Sequence, residues 1–384
     1  MRFASDRERD FLPAVRTLDR YVLREWLTIL AIVIGATYGL LLLIEVQDSF
    51  QDLLKYGATA GEMLFYYAVK SPSFIAYVLP IAVLVSLLYT LGQMHRNNEI
   101  VAMRSAGVSL ATITRSIWIT VVVLSVMLFY VSSSIVPWSI EEARLIKTNL
   151  EFNAAVKTGG SSDDVGVEYN LGYDNRRERR LWQISKFSRY RHDASGIQVS
   201  ILDAERREIR RLLAAKGVWD ESKQGWTFFD GVEVVDPLDP DKYRPVPFTR
   251  LEFPEFHEDP EWIVLLLKTP KNLSLFELGR IIESPDTINH RRRAAYAVRY
   301  HWLLAGTFGC LIAAGLAVPF AVTGVRVNPA VGVSKALGLF GAYWLMDTIC
   351  RLLGEQQALV PWMAAWLPIF AMTAIAGWLM WRER

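Results

Sequence analysis

Five histidines (His95, His192, His257, His290, His301) and two cysteines (Cys310, Cys350) are the side chains of this sequence best suited to hold a metal or attack an electrophile, and their spacing does neither. No two histidines stand four apart, the interval that puts both imidazoles on one helix face. There is no C-x-x-C pair, no G-x-x-x-x-G-K-[ST] phosphate cradle, no H-E-x-x-H and no G-x-S-x-G. The acidic clusters at Asp163-Asp164 and from Glu255 to Glu261 lie among loop-forming residues and read as solvated loops, not as a carboxylate dyad. No catalytic residue, metal or cofactor is expected.

Charges beside or within apolar stretches carry more information. Asp347 lies inside such a stretch, where an ionised group is costly and is kept for function or for a partner within the bundle. Glu45, Arg144, Lys147 and the run Arg291 to Arg293 cluster near one boundary of the apolar material. Basic groups there suit the phosphates of a lipid head group, or simply lie against anionic lipid. Between two apolar stretches, Asn97 to Gly107 reads as a short helix of about two to three turns, with Asn97 or Asn98 as its cap and Gly107 as its stop. Ile100, Met103 and Ala106 recur every third residue beside Glu99, Arg96 and Arg104, giving a small amphipathic surface. Such a helix docks into a partner's groove or is a solvated turn.

The elements that hold these residues follow from hydropathy. The chain has 384 residues, 52% hydrophobic and 21% charged; its mean hydropathy is +0.20. These values describe a membrane protein. Six segments are long and apolar enough to span a bilayer as helices: Trp26 to Val46, Phe74 to Gly92, Ile117 to Trp138, His301 to Val322, Val333 to Leu353 and Pro361 to Trp381. The first lacks a cleavage site and reads as a retained anchor. Most charges lie between Ser139 and Tyr300, so the chain divides into 1–138, 139–300 and 301–384. A net charge of +2 offers no field for nucleic acid, which is not an expected partner.

Basic residues set the orientation. Arg2, Arg7, Arg9, Arg16, Arg20, Arg24, Arg96, Arg104, Arg115, Arg326, Lys335, Arg382 and Arg384 flank one side, against Lys55, Lys70 and Arg351 on the other. Both termini are then cytoplasmic and the middle domain lies outside the inner membrane. Arg291, Arg292, Arg293 and Arg299 fall on the outer side against this rule, from which long loops are largely exempt. In the middle domain, Leu181 to Phe187, Ile197 to Ala204, Ile209 to Trp219, Trp226 to Val235 and Thr249 to Phe253 read as strands. Asp193 to Gly196, Asp220 to Gly225 and Asp236 to Pro240 read as the turns between them. The expected fold is a helical membrane protein with six transmembrane helices and an inserted all-β, jelly-roll-like domain. Its apolar face is either a closed core, or an open mouth for an acyl chain or another β protein. Gly35 with Gly39, and Gly338 with Gly341, mark helix faces suited to close packing. Pro72 and Pro80 should kink or delimit the second span.

Leu79-Pro-Ile-Ala-Val-Leu-Val-Ser-Leu-Leu-Tyr-Thr-Leu-Gly-Gln-Met94, followed by Arg96-Asn-Asn-Glu-Ile-Val-Ala-Met-Arg-Ser-Ala-Gly-Val-Ser109, resembles the lipopolysaccharide export permeases of the LptF/LptG family. Leu18-Asp-Arg-Tyr21, Pro137, Ala143-Arg144, Tyr343-Trp-Leu-Met-Asp347 and Leu367-Pro368 are more similar to the G-type paralogue. The resemblance implies a half-transporter that extracts lipopolysaccharide from the inner membrane. Its partners would be a paralogous F-type permease, a cytoplasmic ABC ATPase dimer that supplies the hydrolysis, and periplasmic jelly-roll bridge proteins. By the same resemblance Glu99 sits on the coupling helix, with Met103 and Gly107 shaping its contact, and Arg144 and Lys147 meet lipid phosphates. Glu45 stands where the best-known G-type members carry a lysine; a carboxylate repels a phosphate, so the resemblance at this position allows a lipid A with fewer phosphates or an F-type assignment. The lipoprotein-releasing permeases place their exported domain after the first of four spans, unlike this chain. A membrane scaffold or sensor with an exported ligand-binding β domain is the alternative of another class; co-purification of a stoichiometric ATPase discriminates.

Overall fold

The computed structural model describes residues 4–157, 167–188, 193–220, 225–235, 244–253, 255–283, 290–322 and 329–382. The chain enters through α1 (Ala4–Lys55), α2 (Ala60–Lys70) and α3 (Ile75–Arg96), with a 3-10 turn at Ser71–Phe74 where Pro72 cannot supply a helical N–H. Short helices α4 (Glu99–Ser105) and α5 (Leu110–Ile113) precede α6 (Arg115–Tyr130), a π turn over Val131–Ile135, and α7 (Val136–Lys157). Strands β1 (Val167–Asn175), β2 (Arg180–Ser188), β3 (Asp193–Leu202), β4 (Glu208–Asp220), β5 (Gly225–Val235) and β6 (Arg244–Phe253) follow. Then come α8 (Pro260–Leu267), α9 (Leu275–Glu283), α10 (His290–Gly306), α11 (Gly309–Val322), α12 (Pro329–Glu355) and α13 (Pro361–Arg382).

Two compact units result: Met1–Ser49 with Tyr67–Ile140 and Ala297–Arg384, and Phe50–Tyr66 with Glu141–Tyr296. In the first, five helices can cross a bilayer by length and composition, and the bent pair α10–α11 makes six. The expected fourth span is therefore broken: its halves meet at 44° between Gly306 and Gly309, where the Thr307 hydroxyl donates to the Leu304 carbonyl at 2.8 Å. The core centres on α11, whose small residues Ala313, Ala314, Gly315 and Ala317 let α3, α6, α12 and α13 approach closely. Trp26 on α1 donates its indole N–H to the Ser86 hydroxyl on α3 at 2.9 Å, a buried bond that fixes one helix on the other. The glycines at 35, 39, 338 and 341 have nothing within 4 Å of where a Cβ would stand, so among the described residues these faces make no close packing at the glycines.

The second unit holds one antiparallel sheet in the order β1-β2-β3-β4-β5-β6, a meander. β1 is a strand the sequence pattern did not announce. Asp193 to Gly196, expected as a turn, lies inside β3, and the expected turns at 220–225 and 236–240 lie largely or wholly outside the described residues. The acidic stretch around Glu258 is also not a solvated loop, because that carboxylate is buried. Asp163, Asp164 and Arg326 lie outside the described residues.

Every strand pair skips the same row. Asn170 with Ser185, Ser185 with Gly196, Gly196 with Ala215, Ala215 with Asp230, and Asp230 with Thr249 are unpaired, while the register is the same on both sides. On that row φ is +54° at Asn170, +63° at Gly196 and +49° at Asp230, a left-handed kink on alternate strands. The sheet is creased from edge to edge. Trp182 shares its row with Glu233 of β5, seven residues from Trp226, so a flat sheet would hold the two indoles about 27 Å apart. Their ring centroids are 5.4 Å apart, so the two wings fold face to face and close a core from a single sheet. Trp226 and Phe228 stack at 6.0 Å, and Phe256, just beyond β6, stacks on Phe253 at 4.7 Å and meets Trp182 edge-on.

Candidate functional site

The first candidate group is the short helix α4. It starts on Asn98, which takes φ +60° and makes no side-chain cap, so the expected asparagine cap is replaced by a left-handed turn out of α3. Asn97 instead donates its amide to Glu99 at 3.2 Å. Gly107 ends the turn at φ +87°, and the next N–H, of Val108, returns to the Met103 carbonyl at 3.1 Å. Ile100 is fully buried and Met103 half-buried against the same core, so the apolar stripe anchors α4 to its own chain. Val101, Ala102, Arg104 and Ser105 form the exposed face. Glu99 stands at the edge of that face, its carboxylate accepting the Tyr21 hydroxyl of α1 at 3.0 Å. The sequence reading missed Tyr21 as a partner, because no spacing rule links residues on different helices.

The second candidate group is the basic pair on α7. Arg144 and Lys147, three apart, lie on one helix face, and each has a carboxylate beside it. Arg144 donates to Glu141 at 3.0 Å, and Lys147 donates to Asp52 at 2.9 Å. Glu45 belongs to the helical unit and is bound by Lys70. The structure thus brings Arg144 and Lys147 together and gives Glu45 a cation of its own. Glu141 was legible at three residues from Arg144; Asp52 and Lys70 were not. Asp347 is buried, and both its oxygens accept the Trp302 indole N–H, at 3.2 and 3.0 Å.

The third is the interior of the creased sheet. The ring cluster of Trp182, Trp226, Phe228 and Phe256 fills it, the closed-core alternative of the two the sequence left open. Its end is tied by a buried ion pair in which Arg180 donates to both oxygens of Glu258, at 3.0 and 2.9 Å. Asn175 donates to the same carboxylate at 3.0 Å, and the Trp226 indole donates to the Glu258 carbonyl at 2.8 Å. Burial, with the charge of Glu258 second, pushes the neighbouring Tyr173 phenol well above its ordinary 10.0. Among the described residues no group of histidines, cysteines and carboxylates is placed to hold a metal.

Residues 20–382 match the family model "Lipopolysaccharide export system permease LptF/LptG". The comparison with curated proteins gives no match. With a match over nearly all its length, apolar helices long enough for five membrane crossings, or six with the bent pair, and a β domain set between them, the chain belongs to the LptF/LptG family, the inner-membrane permeases of lipopolysaccharide export.

Proposed function

We propose that this permease is one half of an ABC transporter, paired with an F-type paralogue on a cytoplasmic ATPase dimer, and that its β domain hands lipopolysaccharide to a periplasmic jelly-roll bridge. Both termini lie in the cytoplasm and residues 139–300 in the periplasm, the orientation set by the basic flanks. The observation that carries the reading is α4, a helix rooted in the permease core through Ile100 that offers Glu99 and an exposed face of Val101, Ala102, Arg104 and Ser105 to a partner. Met103 supports it from beneath and Gly107 sets its end, so a push on Glu99 is transmitted into α3 and, through Tyr21, into α1. The 18-residue apolar window within Thr17–Lys55 is only 6% buried, an unpacked face suited to lipid and to the partner permease.

At the outer boundary Arg144 and Lys147 receive the phosphates of the glycolipid. Asp52 and Glu141 hold these cations until then, and a phosphate replaces the carboxylates one for one. Glu45 stays with Lys70, so that lysine and not residue 45 carries the positive charge there. ATP-driven closure rocks the Glu99 helices, narrows the cavity between the two permeases and drives the amphiphile outward. Its acyl chains pass to the apolar interior of the creased sheet, each sheltered methylene worth about 0.8 kcal/mol. Phe256 and Trp226 must give way for that, so the wings part along the crease.

Glu99→Lys tests the reading. The variant should reach the membrane at normal levels, lose the stoichiometric ATPase on gentle extraction, and abolish ATP-dependent glycolipid crosslinks from a photoreactive residue at position 144. Full assembly and export in the variant would remove the role assigned to α4.

A further inference from the structure

Helix α9 opens on a capping box, in which the Ser274 N–H donates to the Glu277 carboxylate at 2.7 Å and the Glu277 N–H to the Ser274 hydroxyl at 3.2 Å. Leu278 and Ile281 are fully buried, with Leu275 and Ile282 half-buried beside them, so one side of the helix is spent on its own unit. On the other side Phe276 is 77% exposed. Arg280 follows it by one turn and Glu283 by two, both exposed. Each end of α9 is tied to the start of α10 within the same unit. At the C-terminal end the Ile282 carbonyl accepts from the Arg293 guanidinium at 3.2 Å. Near the other end Glu277 lies 3.8 Å from the Lys268 ammonium, and the Tyr296 hydroxyl reaches the carbonyls of Leu266 and Lys268 at 2.7 and 3.2 Å. Arg293 and Tyr296 are three residues apart, so both ties fall within one turn and α9 lies across the start of α10. Arg293 also opens the half-span that, with α11, is long and apolar enough to cross a bilayer. The exposed ring is therefore held where a membrane span emerges into lipid head groups.

We infer that α9 rests on the bilayer surface beside α10, with Phe276 inserted below the lipid phosphates and Arg280 level with them, so that lipid covers this face of the helix. An aromatic ring at that depth leaves water, while the cation one turn along keeps its charge hydrated and meets phosphate oxygens. Glu283, at the end of the stripe, suits a zwitterionic surface, whose amines accept a carboxylate beside them, better than a strongly anionic one. Helix α9 then fixes the height of the return segment above the membrane. The inference needs only that α10 crosses a bilayer; it goes beyond the transport reading and holds whatever the chain carries.

The test uses the full chain, whose two native cysteines are buried. Phe276→Cys and Arg280→Cys are made singly, labelled with a bimane fluorophore and placed in phosphatidylcholine nanodiscs that carry a nitroxide either on the head group or near the top of an acyl chain. At position 276 the acyl nitroxide should quench more strongly than the head-group one, and at position 280 the order should reverse. Arg207→Cys, on the exposed link between β3 and β4, should be quenched by neither. Phe276 is mostly exposed, so its replacement removes little packing, and Arg280→Cys leaves the ring in place as a second reading. Labels at 276 and 280 quenched no more than at 207 would put this face in water. A blue-shifted label at 276 that neither nitroxide reaches would put protein over it. Either result overturns the inference, and so would the same order of quenching at both positions.

Discussion

Tyr173 gives the β domain an alkaline limit that can be read at a single side chain. Its phenol is buried beside the carboxylate of Glu258, and both the loss of water and that charge disfavour the phenolate, so its folded pKa is raised. In the unfolded chain the same group ionises near its ordinary 10.0. The stabilisation is therefore complete below about pH 10 and is lost as pH rises above it, because only the unfolded state releases the proton. Tyr173→Phe should flatten that slope, and thermal unfolding measured at pH 9, 10 and 11 (about one step per unit) checks it; an unchanged slope would mean the phenol is wet. At the acid end the sign is reversed. The Arg211 guanidinium holds the Glu208 carboxyl below its ordinary 4.5, so its contribution is present above that value and fades as pH falls beneath it.

Elements set the tolerances between residues, and α12 sits tightly against α10 and α13. A Cβ built on Gly354 would stand 2.6 Å from the Ala364 Cβ and 2.8 Å from a Val298 methyl, both on rigid helical neighbours. Gly354→Ala is expected to cost about 1–3 kcal/mol in overpacking, offset by about 1 kcal/mol of helix propensity; the midpoint of thermal unfolding in detergent measures the net loss, with Gly338→Ala, at an open position where only the propensity gain applies, as the comparison. The spans and the turn at α4 were legible because each is set by local hydropathy and by single glycines such as Gly107. The sheet was harder. Ile184 and Phe187, Ala194 and Ile197, and Ala214 and Gly217 are buried three apart, an interval foreign to strands, because the kinked row between them reverses which side faces in. Gly196 therefore looked like a turn residue when it is the crease of β3. Long-range partners such as Tyr21 for Glu99, Asp52 for Lys147 and Trp302 for Asp347 leave no trace in spacing, since the fold alone brings them together.

For the whole molecule, the proposed orientation makes opposite claims about reagent access to its two units. Cys310 and Cys350 are both buried, so a single added cysteine is the dominant target. Arg207→Cys in the β domain should react with a membrane-impermeant maleimide on intact spheroplasts, and Arg104→Cys on α4 only after permeabilisation; the reverse pattern would invert the protein in the membrane. The crease then dictates who can sit beside this sheet. Left-handed residues fall on β1, β3 and β5 and never on the strands between, so a neighbour hydrogen-bonded along β6 must bend at the level of Thr249 and place a glycine, asparagine or aspartate there. An ordinary straight strand would meet the first half of that edge and miss the second, which makes the bend a key cut for any neighbouring strand that carries the matching notch.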